Sequence, residues 1–258
     1  MGILQTAERS SQFDSSENVI FQRHLIAYKE AAKLIHGVVL EIGSGEGYGI
    51  TELSSKSDKY IALDKYKTQL PKTMDKATNI IFKQQEVPPI TDVSDNSIDF
   101  VVTFQVIEHI KDDKLFLSEI YRVLKPGGKL ILTTPNKSMS LSRSPWHFRE
   151  YTVNEMREIL GSAFSDYNIK GVFGNSKVMK YYNENKQSVN RIMRWDIFNF
   201  QYLLPRWVLQ IPYDILNRLN RKKLQQENQE LVAKVKDTDF MIRDSAETSF
   251  DHFCIATK

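Results

Sequence analysis

From residue 18 to 174 the chain alternates between two patterns. Short runs are apolar at nearly every position, and between them lie longer segments whose apolar residues recur every three or four. Val38-Val39-Leu40, Tyr60-Ile61-Ala62-Leu63, Ile80-Ile81-Phe82, the run from Ile98 to Phe104 and Lys129-Leu130-Ile131-Leu132-Thr133 are of the first kind. A strand apolar on both faces must be buried on both faces, which requires a parallel sheet with helices packed on either side. The second kind supplies those helices. Residues 19–35 place Ile20, Leu25, Tyr28, Ala32 and Ile35 at helical spacing. Residues 115–124 do the same and stop at Pro126-Gly127-Gly128. The pattern predicts an α/β fold.

Two further strand-like segments, 167–173 and 252–257, flank a long stretch of mainly helical pattern. If they pair as a hairpin, that stretch is an insertion at one end of the sheet. The predicted core is then 1–174 together with 251–258, and 175–250 is a mainly helical cap or partner surface. The chain has 258 residues, 41% of them apolar, ample for a buried core and incompatible with a disordered chain. Its one cysteine, Cys254, excludes an internal disulfide framework. No run reaches the roughly 18 apolar residues of a membrane span. Residues 1–16 lack the apolar centre of a secretory signal, so a cytoplasmic location is expected. Gly2 and Thr6 match the loose myristoylation pattern.

A net charge of +3, from 35 basic and 32 acidic residues, is too balanced to point to nucleic acid. The segment 203–224 is different. It mixes Trp207 and other apolar residues with Arg206, Arg218, Arg221, Lys222 and Lys223 against the single acid Asp214. That composition suits peripheral membrane contact, or else a cap helix with a solvated basic end.

Chemistry concentrates at Glu41-Ile42-Gly43-Ser44-Gly45-Glu46-Gly47, which follows the first strand and opens a helix. Glycines there let backbone approach a ligand closely. The dinucleotide pattern G-x-G-x-x-G fails because Tyr48 stands where its third glycine belongs. Glu41 would repel a pyrophosphate and suits a cationic amino group. Asp64 ends the next strand, where a carboxylate can accept both hydroxyls of a ribose. Two carboxylates and a glycine turn without a phosphate-binding lysine fit a nucleoside joined to an amino acid, S-adenosylmethionine.

These residues resemble the class I S-adenosylmethionine-dependent methyltransferases. The likeness runs in order through Val38 to Gly49, Asp64, Asp95-Asn96-Ser97-Ile98-Asp99, Val106-Ile107-Glu108-His109-Ile110, Leu124-Lys125-Pro126-Gly127-Gly128 and Thr133-Thr134-Pro135-Asn136. It implies a Rossmann-like doubly wound sheet of seven strands, order 3-2-1-4-5-7-6 with the last strand antiparallel. It also implies that Gly43, Ser44, Gly45, Gly47 and Tyr48 cradle the methionine part. Asp64 and Lys65 would meet the ribose, Gln85 and Glu86 would flank the adenine, and Phe104 and Gln105 would line the pocket. Relatives often carry Asp where Gln84-Gln85 stand here. A His24-x-x-x-Tyr28 helix and a His147-x-x-Glu150 segment look like a bacterial subgroup linked with surface-glycan pathways.

The protein's part in methyl transfer is to align the reactants and exclude water. His147 is the candidate base for an oxygen acceptor, with His109 beside it. Tyr151 and Arg149 orient the acceptor or cap the next helix. Glu108-His109 resembles part of the Glu-x-x-Glu-His metal site of small-RNA 2′-O-methyltransferases. Gln105 stands at that motif's first position and is a poor substitute for an anionic ligand, so no metal is expected. The expected function is methyl transfer to a small-molecule acceptor, an O-methylation of a sugar or lipid-linked intermediate. The alternatives are RNA 2′-O-methyl transfer and non-catalytic S-adenosylmethionine binding.

Overall fold

The computed structural model describes residues 14–66, 79–196 and 199–258. The myristoylation match at Gly2 and Thr6, and Phe198 of the aromatic insertion, lie outside the described residues. Among the described residues eight strands form one sheet: β1 (Val38–Ile42), β2 (Lys59–Asp64), β3 (Ile80–Gln84), β4 (Ile98–Phe104), β5 (Leu124–Pro135), β6 (Asp166–Gly174), β7 (Phe240–Asp244) and β8 (Asp251–Thr257). Their order across the sheet is β3-β2-β1-β4-β5-β8-β6-β7. Strands β1 to β5 are mutually parallel, and β8 runs antiparallel between β5 and β6.

The expectation of seven strands is therefore corrected to eight. The added strand, β7, lies inside the segment read as mainly helical and extends the sheet by pairing antiparallel with β6. Its sequence, Phe-Met-Ile-Arg-Asp, is apolar for only three residues and its outer half is exposed, as suits a sheet edge.

Alternation along each strand sends neighbours into two separate cores. Val39, Tyr60, Ala62, Val102 and Phe104 face α1 (Asn18–Ala32), meeting Ala27, Tyr28 and Ala31. Leu40, Ile61, Leu63 and Val101 face α3 (Asp113–Val123) and α4 (Val153–Gly161), meeting Phe116, Leu117, Ile120, Met156 and Leu160. The short α2 (Tyr48–Ser54) follows the glycine turn. Helix α4 starts with a capping box, in which Thr152 and Glu155 satisfy each other's backbone N–H groups.

Between β6 and β7 lie α5 (Ser176–Met193), α6 (Phe200–Leu203), α7 (Arg206–Glu227) and α8 (Gln229–Lys234). This layer folds back onto α1. Asn18 donates to the carbonyls of Val232 and Val235, Lys29 pairs with Asp237 at 2.8 Å, and Arg221 reaches Glu17 at 3.1 Å. Asn220 ties α7 to α5 by accepting from Ser188 and donating to Asn185. The insertion thus stands over the ends of β4 and β5, where the chain enters the loop 136–152.

Candidate active site

The glycine turn takes its shape from three residues in left-handed backbone: Gly43 (φ 83°), Gly45 (φ 55°) and Gly47 (φ 81°). Any other residue would be strained at all three. They differ in their surroundings. A Cβ on Gly43 would collide with Val106, whereas one on Gly45 would meet nothing within 4 Å. Gly45 therefore borders open space, the cradle that a ligand lying against bare backbone requires.

Asp64 closes this cradle from the next strand. Its Oδ2 accepts the Gly45 N–H at 2.8 Å and its Oδ1 accepts the Tyr66 N–H at 2.8 Å. The Gly43 N–H donates to the Leu63 carbonyl at 2.7 Å, and the Gln85 N–H donates to the Asp64 carbonyl at 2.9 Å. Gly43, Ser44, Gly45, Gly47, Asp64 and Gln85 consequently form one connected rim across the ends of β1, β2 and β3. Both carboxylate oxygens thus brace the turn through backbone N–H groups. Open space over Gly45 and a carboxylate beside it fit a nucleoside bearing an amino acid.

Other members of the predicted set sit elsewhere. Phe104 is buried edge-to-face against Tyr28, with ring centroids 4.7 Å apart. Tyr48 packs against Phe21 and Tyr28 on the same side. Lys65 stands over the Tyr66 ring, the Gln85 side chain donates to the Pro89 carbonyl at 2.6 Å, and Glu86 is exposed.

Glu41 is buried, and its two oxygens accept from the phenols of Tyr28 and Tyr60. The carboxylate expected to meet a cationic amino group is thus engaged by two tyrosines on the α1 side of the sheet. Burial pushes its pKa up to about 7, in spite of the phenolic donors that lower it, and the charge of Asp64 adds to the rise. The sign of the pH effect follows. In the unfolded chain Glu41 ionises near 4.5, while the folded protein holds the proton until about 7. Its contribution to stability is full below pH 4.5 and is lost as pH rises to 7. The loss is on the order of 3 kcal/mol. Denaturant unfolding of wild type and Glu41→Gln across this range should show a steeper decline for wild type. Equal slopes would contradict a raised pKa.

A cavity of about 230 Å³ opens beside this rim at Gln105, the one residue of the expected cofactor set that lines it. Gln105 has φ 56°, a strained backbone for a non-glycine residue of the kind that clusters at functional sites. Glu108, His109, His147 and Glu150 line the same cavity. His147 Nδ1 lies 2.6 Å from Glu150 Oε1, and Ser140 donates to the other Glu150 oxygen. A carboxylate at Nδ1 favours the tautomer that carries its proton there. His109 Nδ1 is 3.2 Å from the Trp146 carbonyl, and its ring meets that of His147 at a centroid distance of 4.9 Å. Glu108 is buried, accepts from Thr134 at 2.9 Å, and takes the Phe148 N–H on its backbone carbonyl. It pins the histidine-bearing loop.

The ligand atoms of Glu108, His109 and His147 lie within 4.8 Å of one another, the place among the described residues where three such groups converge. Tyr151 and Arg149 do not reach the cavity. Both bind Asp113 at the start of α3 and so anchor the loop instead of orienting an acceptor.

Several cavity residues carried no assigned role in the sequence. Glu150 had a usable signal, the i,i+3 spacing from His147. Arg23 lines the cavity and meets Asp251, behind it, at 3.2 Å although the two are 228 positions apart, and no local pattern reveals that pair. Tyr213, Asn217 and Arg221 reach the cavity from α7, and Tyr181, Tyr182 and Asn185 reach it from α5.

Comparison with known proteins places this geometry. A methyltransferase domain model matches residues 40–132. A Mycolicibacterium smegmatis protein described as a probable S-adenosylmethionine-dependent methyltransferase is 35% identical over 175 residues, covering 65% of this chain and 68% of its own length. A Mycobacterium tuberculosis protein of the same description is 34% identical, covering 65% of this chain and 64% of its own. The chain thus spans about two thirds of the length of these relatives. A solved S-adenosylmethionine-dependent methyltransferase of Thermotoga maritima aligns over 92% of both chains with a TM-score of 0.52 and 15% identity. At that identity the likeness is one of fold.

Proposed function

Because the chain belongs to the S-adenosylmethionine-dependent methyltransferases, we propose that it methylates an oxygen of a small acceptor, a sugar or lipid-linked sugar intermediate, seated in the cavity at His147. The observation that carries this reading is the His147–Glu150 pair, 2.6 Å apart, in a cavity that begins at Gln105 beside the cofactor rim. Bound S-adenosylmethionine supplies an electrophilic methyl carbon on positive sulfur. The chain supplies the rest. His147 Nε2 takes the acceptor hydroxyl proton as the oxygen becomes nucleophilic, and Glu150 stabilises the resulting imidazolium.

The lining supports an acceptor rich in hydroxyls. Ser140, Ser142 and Ser144 from the loop, with Asn185 and Asn217 from the insertion, place donors and acceptors around the space. At about 230 Å³ it is smaller than the 300–1,000 Å³ typical of drug-sized ligands, so it suits one small ring. RNA 2′-O-methyl transfer is the weaker reading, since Gln105 is neutral where that chemistry's metal site places an anion. A purely cofactor-binding role leaves the paired His147 and Glu150 without a purpose.

Purified protein should transfer methyl from S-adenosylmethionine to free or lipid-linked monosaccharides in buffer containing EDTA, yielding base-stable methyl ethers by mass spectrometry. Transfer to RNA oligonucleotides alone, or complete loss of turnover on chelation with recovery on adding a divalent metal, would contradict the assignment of His147 as base.

A further inference from the structure

Helix α7 has two working faces. Tyr213, Asn217 and Arg221 recur every fourth residue and line the cavity, while Asn220 and Leu224 beside them are buried. Trp207, Ile211, Ile215 and Leu219 also recur every fourth residue and are 74%, 72%, 54% and 59% exposed. At 100° per residue these two sets fall on roughly opposite sides of one helix. Upstream in the chain, Tyr202 and Leu203 of α6 are exposed as well, as is Trp195 just beyond α5. A stripe of this length left to water is unusual for a solvated protein and marks a contact surface.

We infer that this stripe docks the protein on an anionic lipid bilayer, with α7 lying in the plane of the surface and its inner face roofing the acceptor cavity. The charge pattern selects that occupant. By helical projection the half-buried Arg218 and the exposed Lys222 fall within the arc of the stripe, and the exposed Lys223, 3.8 Å from Glu227, lies at its border; the one acid between 206 and 224, Asp214, accepts from Trp146 Nε1 at 2.9 Å. Apolar side chains flanked by cations match the acyl boundary and the anionic headgroups above it. A second copy of the chain pairing through this face would set the same cations against each other. The surface is one convex helix face, which suits a planar bilayer. Trp and Tyr at the upstream end are the side chains favoured at a headgroup layer. None of the described helices is long and apolar enough to cross a membrane, so the contact is in-plane.

This inference goes beyond the acceptor reading and stands or falls separately from it. The test is flotation of the full chain with vesicles of phosphatidylcholine alone and of phosphatidylcholine with about one-third phosphatidylglycerol. Wild type should float with the anionic vesicles, weakly or not at all with the neutral ones, and be released by high salt. The triple variant Trp207→Ser, Ile211→Ser, Ile215→Ser should bind anionic vesicles at least about 100-fold more weakly. It should keep wild-type affinity for S-adenosylhomocysteine by calorimetry, which shows that it is folded. Failure of wild type to bind anionic vesicles would overturn the inference. So would a wild-type dimer in sedimentation velocity that the triple variant abolishes, because the stripe would then be an interface between copies. Vesicle binding together with methylation of soluble acceptors only would keep the docking surface and remove the lipid-linked acceptor.

Discussion

His147→Ala is expected to lower kcat for methyl transfer by about 10²–10⁴-fold while leaving the affinity for S-adenosylmethionine within about twofold. The separation follows from the geometry. His147 lines the proposed acceptor cavity and makes its Nδ1 contact to Glu150, whereas the proposed cofactor rim comprises Gly43 to Gly47, Asp64 and Gln85 at other strand ends. Removing the imidazole removes the proton acceptor without touching the rim. Glu150→Gln provides the graded version. Gln cannot hold the Nδ1 proton by charge, so kcat should fall by a smaller factor. A structural role for His147 as a loop brace predicts the opposite division, with lost stability and little change in kcat for the molecules that remain folded.

Asp64→Ala should weaken S-adenosylmethionine binding by at least about 100-fold. Two charge-assisted hydrogen bonds from ribose hydroxyls are worth roughly 3 kcal/mol or more together. The same carboxylate braces the turn by accepting the Gly45 and Tyr66 N–H groups, so its loss also loosens the cradle. Asp64→Asn separates the two effects. The amide keeps an oxygen for one backbone donor but cannot accept at both positions, and affinity should fall in between. If Asp64→Ala binds as tightly as wild type by calorimetry, the ribose assignment is wrong.

Much of the fold was legible because burial on both faces leaves a strong local signature. Val38 to Leu40, Tyr60 to Leu63 and Ile98 to Phe104 announce parallel central strands without any knowledge of their partners. Strand β7 was not legible, because an edge strand half in water carries only three apolar residues, and its pairing with β6 is set at a distance. The site divides in the same way. The glycine turn and Asp64 are local features placed by strand ends, and the structure joins them through the Gly45–Asp64 hydrogen bond. The contacts of Phe104 and Glu41 with Tyr28 have a cause that strand alternation supplies. Each shares parity with core residues facing α1, Phe104 with Val102 and Glu41 with Val39, so each points to Tyr28. The acceptor side was least legible. Its walls come from α1, the loop 136–152, α5 and α7, and only tertiary packing brings them together.

The cavity at His147 as the seat of transfer to oxygen is tested most directly by single-turnover experiments with methyl-labelled S-adenosylmethionine at saturating protein, comparing wild type and His147→Ala on a monosaccharide-bearing acceptor. Label appearing on an acceptor oxygen with wild type, and slower by about 10²-fold or more with the variant at equal cofactor occupancy, is the predicted result. Label on nitrogen, sulfur or carbon, or equal rates in the two proteins, would contradict it.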